Sequence, residues 1–191
     1  MKRLYIIGGP NGAGKTTASF TVLPEILNCS EFVNADEIAR GISPFNPEKV
    51  SIKAGRIMLS RINELLDKDE TFAFETTLSS KYFVRFIKEA KEKGYEVVLL
   101  FLMLNNVNLA IKRVKIRVKE GGHNIPIEVI KRRYKNGMKN FFNSYINSVD
   151  KWFLVDNSGE TFQFIAEGTL NGTIIKNDDI WTSLKTDNYG H

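Results

Sequence analysis

Residues 8–17 read Gly-Gly-Pro-Asn-Gly-Ala-Gly-Lys-Thr-Thr and follow directly on an apolar run, Leu4-Tyr5-Ile6-Ile7. From Gly9 to Thr16 the spacing is G-x-x-x-x-G-K-[ST], set between an expected strand and an expected helix. Glycines let the backbone curl until successive N–H groups point at one centre, which makes a nest for an anion. A helix opening near Lys15 adds its positive end. Lys15 is then placed to reach the β- and γ-phosphates of a nucleoside triphosphate, and the Thr16 hydroxyl to ligate Mg²⁺. Gly9, Pro10, Asn11, Gly12, Ala13, Gly14, Lys15, Thr16 and Thr17 are the expected nucleotide-binding residues.

Two short β-type runs end in carboxylates: Phe32-Val33-Asn34-Ala35-Asp36-Glu37 and Thr71-Phe72-Ala73-Phe74-Glu75-Thr76. Ligands of open α/β sheets gather outside the carboxyl ends of the strands. Asp36 and Glu75, with Thr76, are therefore expected beside the glycine loop. A carboxylate there can accept the proton of a hydroxyl as it attacks the γ-phosphate, and Asp36 is the candidate base. The alternatives are structural: Asp36 as the N-cap of a helix over 37–40, and Glu75 as a strand-end carboxylate bonding a nearby hydroxyl.

A third group is basic. Arg113 and Arg117 stand four apart beside an apolar stripe of Val107, Ile111, Val114 and Val118. Gly121-Gly122 then breaks the helix, His123-Asn124 follows, and Pro126 restarts it with Arg132-Arg133 one to two turns in. Helix, glycine break, helix, with arginines on both arms, is the pattern of a mobile lid whose cations neutralise a transferring phosphoryl group. A solvated basic face is the alternative, and it suits Lys112, Lys115 and Lys119 better. His123 reads as a lid hinge or a substrate contact. Asn157, in Val155-Asp156-Asn157-Ser158-Gly159 after the last buried strand, stands where small P-loop kinases read the base edge; a plain turn is the alternative.

The elements that must carry these groups alternate along the chain. Strands are expected over 3–7, 31–34, 71–75, 96–102 and 152–156, and continuous apolar runs such as VVLLFL suit a parallel sheet buried on both faces. Asn46-Pro47 opens one helix, with Ile52, Leu59, Ile62 and Leu66 on its inner face. Ser79 caps a second, and Pro126 starts a third carrying Ile127, Ile130, Tyr134, Met138, Phe141 and Tyr145. Segments 162–167 and 173–176 flank Asn171-Gly172 as a hairpin added to the sheet. The expected fold is α/β: a three-layer P-loop NTPase with a mostly parallel central sheet, a nucleoside-kinase-like helical lid over about 105–145 and a C-terminal hairpin. Residues 1–191 form one domain in this reading.

Composition narrows the classes. The chain has 191 residues, 42% of them hydrophobic and 26% charged, with a formal net charge of +5, which suits phosphorylated small molecules or nucleic acid. The basic residues are spread over several helices with few interleaved aromatics, which disfavours a nucleic-acid channel. No apolar run approaches a bilayer span, the short apolar run after Met1-Lys2-Arg3 is no signal peptide, and Cys29 is the only cysteine, so a cytoplasmic protein is expected. No N-K-x-D guanine motif and no LSGGQ-type segment occurs.

Taken together, GGPNGAGKTT, FVNADEIA, the 42–56 segment ending in AGR, FAFETTLSS, RVKIRVKEGGHNIP with the following RRY, and VDNS resemble the zeta-toxin family of P-loop kinases, in its short single-domain branch. The resemblance implies an ATP-dependent phosphotransferase whose acceptor is a hydroxyl of a small metabolite, such as the nucleotide sugar UDP-N-acetylglucosamine. It implies ATP and Mg²⁺ as cofactors and raises a protein antitoxin as a partner. Lys15 and Thr16 match the triphosphate and Mg²⁺ residues, Asp36 the general base, and Glu75 the acid that helps hold the substrate. Arg113 or Arg117, with Arg132 or Arg133, match the arginines that grip the γ-phosphate, with Lys15 and Arg117 counted beside Asp36 as catalytic. Arg113 and Asn157 are assigned to the nucleotide, and Thr76, Arg56, His123 and Arg133 to the substrate. A polynucleotide-type kinase and a nucleotide-gated interaction module with little turnover remain the alternatives.

Overall fold

A computed structural model describes residues 1–122 and 124–188. Five strands run parallel: β1 (Arg3–Gly8), β2 (Glu31–Val33), β3 (Phe72–Thr76), β4 (Glu96–Met103) and β5 (Lys151–Asp156). An antiparallel pair, β6 (Gln163–Thr169) and β7 (Gly172–Ile175), extends the sheet beyond β5. The order is β2-β3-β1-β4-β5-β6-β7. Each expected parallel strand is present to within a residue at either end, and the expected hairpin forms with its turn at Leu170-Asn171, Gly172 already pairing with Thr169.

Apolar residues on both sides of the central strands force helices onto both faces. Leu4, Ile6, Phe74, Leu99 and Phe101 pack on one face against α3 (Ser51–Asp67) and α4 (Tyr82–Glu92), with Met58, Ile62, Phe86 and Ile87 fully inside. On the other face lie α1 (Lys15–Thr21), α5 (Val107–Lys119) and α6 (Ile127–Asn140), joined by Ala18, Leu102, Val114 and Ile130. The remaining helices are α2 (Ala35–Ile42), after β2, and α7 (Asp178–Asn188), after the hairpin. Among the described residues no helix is long and apolar enough to cross a membrane.

Three local expectations shift. Residues 47–50 form a separate tight turn, so α3 begins only at Ser51. Ile52 and Ile127 each fall in a helix's first turn and are exposed; the buried faces begin at Ala54 and Ile130. Ser79 does not cap α4: its hydroxyl accepts from Thr77, and the Tyr82 N–H is met by Ser80 Oγ instead.

The fold closes on itself through aromatic packing. The Trp152 and Trp181 rings stack at 5.7 Å with 5° between planes, and Phe142 lies 5.4 Å from Trp181. This contact fastens α7 to β5 and to the end of α6. Trp181→Ala is expected to destabilise the protein by about 3–5 kcal/mol, the usual cost of deleting a large buried aromatic. Urea unfolding, followed by far-UV circular dichroism, checks it.

Candidate functional site

The glycine loop sits where β1 hands over to α1, and Gly9, Gly12 and Gly14 all take positive φ. Gly9 has φ of 142°, and a Cβ there would lie 2.2 Å from the Leu102 carbonyl oxygen on β4. Gly14 has φ of 78°, and its Cβ would meet Asn157 Nδ2 at 2.7 Å. These contacts hold the loop against β4 and the segment after β5, at the N-terminal end of α1, where the first helical N–H groups have no intrahelical partners. The Lys15 side chain, 5% exposed, lies back across the loop. Its ammonium donates to the Pro10 carbonyl at 3.0 Å and stands 3.4 Å from Glu75 Oε1.

Sheet register brings the second carboxylate to the loop. In the β1–β3 pairing Ile7 lies opposite Glu75 and Gly8 opposite Thr76, so Glu75 ends β3 level with the start of the glycine turn. The Thr16 hydroxyl donates to Glu75 Oε2 at 2.7 Å, and Asn34 Nδ2 donates to the same oxygen at 2.8 Å. Glu75, assigned to the substrate from the sequence, thus faces Lys15 and Thr16. Its neighbour Thr76 turns inward, its hydroxyl accepting from the Leu78 N–H at 3.2 Å.

Asp36 stands in the first turn of α2. It is not the cap of that helix: Asn34 is, its Oδ1 accepting from the Asp36 and Glu37 N–H groups at 2.8 and 3.4 Å. Half-exposed, Asp36 looks into a cleft of about 490 Å³ bounded by Thr16, Thr17 and Phe20 of α1, Arg40 of α2, and Arg117 of α5. The Arg117 guanidinium lies 3.9 Å from Asp36 Oδ2. Arg133, from α6, reaches the loop and donates to Asn11 Oδ1 at 3.4 Å. Burial pushes the Arg133 guanidinium below its ordinary pKa, while the Asp36 carboxylate pulls the other way. It remains a cation at neutral pH.

The arginines divide by face. Arg113, one helical turn before Arg117, donates to the carbonyls of Asn157 and Ser158 at 2.7 and 3.1 Å, so its guanidinium holds the loop after β5. Asn157 is likewise turned inward; its amide donates to the Ala13 carbonyl at 2.8 Å and braces the glycine loop from behind, whereas the sequence reading aimed it at the base. Arg132 is exposed, and Arg56 lies exposed on α3, joining none of the described contacts of the site. His123 lies outside the described residues.

The site therefore gathers Lys15, Thr16, Thr17, Glu75, Asp36, Arg117 and Arg133, together with Asn34, which the sequence reading passed over. Its signal was present: Asn followed by Ala-Asp-Glu is an N-cap with an acidic first turn. A separate cleft of about 270 Å³ on the sheet face beside α1 is lined by aliphatic and aromatic side chains such as Ile7, Val22, Leu100 and Phe164, and holds no carboxylate or cation. Among the described residues, no cluster of three or more His, Cys, Asp or Glu could hold a metal. Mg²⁺ needs less: it commonly uses one or two protein oxygens and takes the rest from phosphates and water. Thr16 and Glu75 fit that demand: the hydroxyl gives its proton to the carboxylate and accepts only a long contact from Asn34 Nδ2, at 3.3 Å, which leaves it a lone pair for a cation.

The Zeta toxin family model matches residues 1–169. An uncharacterised protein of Haemophilus influenzae is 36% identical over 128 residues, covering 66% of this chain and 88% of that one. Among solved structures, the AvrRxo1-ORF1:AvrRxo1-ORF2 complex with sulphate ions superposes with a TM-score of 0.78 at 15% identity, covering 100% of this chain and 65% of the other. The same complex with ATP gives a TM-score of 0.75 at 16% identity, covering 100% and 65%. The PezAT toxin–antitoxin system of Streptococcus pneumoniae gives a TM-score of 0.66 at 15% identity, covering 100% of this chain and 80% of that one. The chain thus spans just under two thirds of the AvrRxo1-ORF1:AvrRxo1-ORF2 chains it matches.

Replacing Lys15 by Ala is expected to abolish measurable ATP binding, because the phosphates lose their nearest cation. The fold should hold, since Glu75 keeps its bonds to Thr16 and Asn34. Titration calorimetry with ATP, alongside thermal melting, measures both.

Proposed function

The chain belongs to the zeta-toxin family of P-loop kinases, and from that premise we propose that it transfers the γ-phosphate of ATP to a hydroxyl of a small metabolite. The acceptor we infer is a nucleotide sugar such as UDP-N-acetylglucosamine. The observation that carries the reading is the placement of Asp36: a carboxylate that faces the same cleft as the P-loop threonines, with Arg117 beside it. A nucleotide-binding module without transfer has no need of a base at that position.

The steps follow from the geometry. Loop N–H groups and Lys15 hold the triphosphate, Lys15 exchanging the Pro10 carbonyl and Glu75 for phosphate oxygens. Thr16 and Glu75 would hold Mg²⁺, which when bound offsets the charge gathered on the phosphates. Asp36 receives the proton of the acceptor hydroxyl as its oxygen bonds to the γ-phosphorus, while the bond to the β–γ bridging oxygen breaks and ADP leaves. Arg117 reaches the cleft from α5 and Arg133 reaches the glycine loop from α6, and both oppose the negative charge spread over the transferring group. Arg113 acts one step back, by fixing the 157–158 carbonyls behind the loop. The likeness to PezAT, a toxin–antitoxin system, supports a protein antitoxin as a partner.

Asp36→Asn tests this. The substitution keeps the size of the side chain, and the helix keeps its cap because Asn34 supplies it. Loss of the base is expected to lower turnover about 10²–10⁴-fold with ATP affinity unchanged. Mass spectrometry of Mg·ATP reactions containing UDP-N-acetylglucosamine, or a metabolite extract, reads the gain of one phosphate. Transfer at the wild-type rate by the variant would remove Asp36 from the chemistry. A wild type that phosphorylates the extract but not the nucleotide sugar would change the acceptor and keep the reaction.

A further inference from the structure

The two halves of the site, the metal side on β3 and α1 and the base side on α2, are built from segments 20 to 40 residues apart in sequence. One buried side chain touches both. Asn34 is 5% exposed and leaves β2 in extended conformation, with φ of −134° and ψ of 121°. Its amide nitrogen donates to Glu75 Oε2 at 2.8 Å and lies 3.3 Å from Thr16 Oγ1; its amide oxygen accepts from the Asp36 and Glu37 N–H groups. The orientation is fixed by chemistry, since a carboxylate must face the NH₂ group and backbone N–H groups must face the oxygen.

We propose that Asn34 is a positioning residue that couples the metal-holding pair Thr16–Glu75 to the base Asp36. Glu75 answers to three donors, Lys15, Thr16 and Asn34. When a triphosphate draws Lys15 away, Asn34 and Thr16 are the donors that keep Oε2 in place. The same amide plane sets the first turn of α2 and so the direction of Asp36. A shift of Glu75 toward an incoming cation is therefore felt at the base through one rigid group. The assignment rests on the phosphotransferase reading, and its test separates the two.

Asn34→Ser keeps a capping oxygen but is too short to reach Glu75. For Asn34→Ser, melting temperature and ATP affinity in EDTA should stay near wild type. The gain in ATP affinity on adding MgCl₂ should fall about 10–100-fold, and kcat with it, as for other groups that orient a metal's ligands. In a Glu75→Gln background, Asn34→Ser should cost little more. An Asn34→Ser protein with wild-type Mg²⁺ enhancement and wild-type kcat, or losses that simply add in the double variant, would reduce Asn34 to a helix cap. If wild type phosphorylates nothing, the kinase reading falls, while the MgCl₂ titration still decides Asn34; a wild type whose ATP binding ignores MgCl₂ overturns the coupling.

Discussion

The site is organised by what the Glu75 carboxylate touches. Lys15 and Thr16 come from the first turn of α1 and Asn34 from the residue after β2, and all three point at one side chain at the end of β3. That convergence exists only because β3 lies between β1 and β2 in the sheet. Parallel pairing sets Glu75 opposite Ile7, and the β2–β3 pairing ends with Val33 opposite Phe74, one residue before Asn34. A slip of one residue in either pairing would turn the carboxylate to the other face of the sheet.

Such an arrangement is costly for a fold and useful for a site. An ammonium and a carboxylate this buried gain from each other little more than they lose by leaving water. The net favourable packing lies elsewhere, in the aromatic and aliphatic layers beneath α3, α4 and α7. What the buried polar group supplies is geometry that is already set before any ligand arrives. Lys15 rests on a carbonyl and a carboxylate, both of which a phosphate can replace one for one. The order lost on binding ATP is correspondingly small.

Much of this was legible in the sequence, and the exceptions share a cause. The glycine loop and the five parallel strands follow from local spacing and continuous apolar runs, which report on neighbours in the chain. Ile52 misled because a helix stripe says nothing about where the helix begins; Pro47 starts a turn that ends before α3 does its packing. Arg113 and Arg117 share a helix face by spacing, yet one meets the loop after β5 and the other meets Asp36. Which loop approaches which turn of α5 is decided by strand order, and strand order is not written in any one segment. Asn34 escaped notice for a related reason. The acid two residues on invites the role of cap, and only the lateral placement of β3 shows what the Asn amide is for.

The cleft that Asp36 faces differs in kind from the glycine-loop half of the site. Its walls are α1's exposed side, the first turns of α2 and one arginine of α5, and none of these residues pairs in the sheet. Thr21 and Arg40 can therefore vary without disturbing the strand register that sets Glu75 and the loop. Under selection, the surface of this cleft can drift along a few helix faces while the glycine loop and the strands behind it stay fixed. A fold divided in this way lends itself to diversification at the cleft, with the sheet edge kept and the helix surfaces around it exchanged.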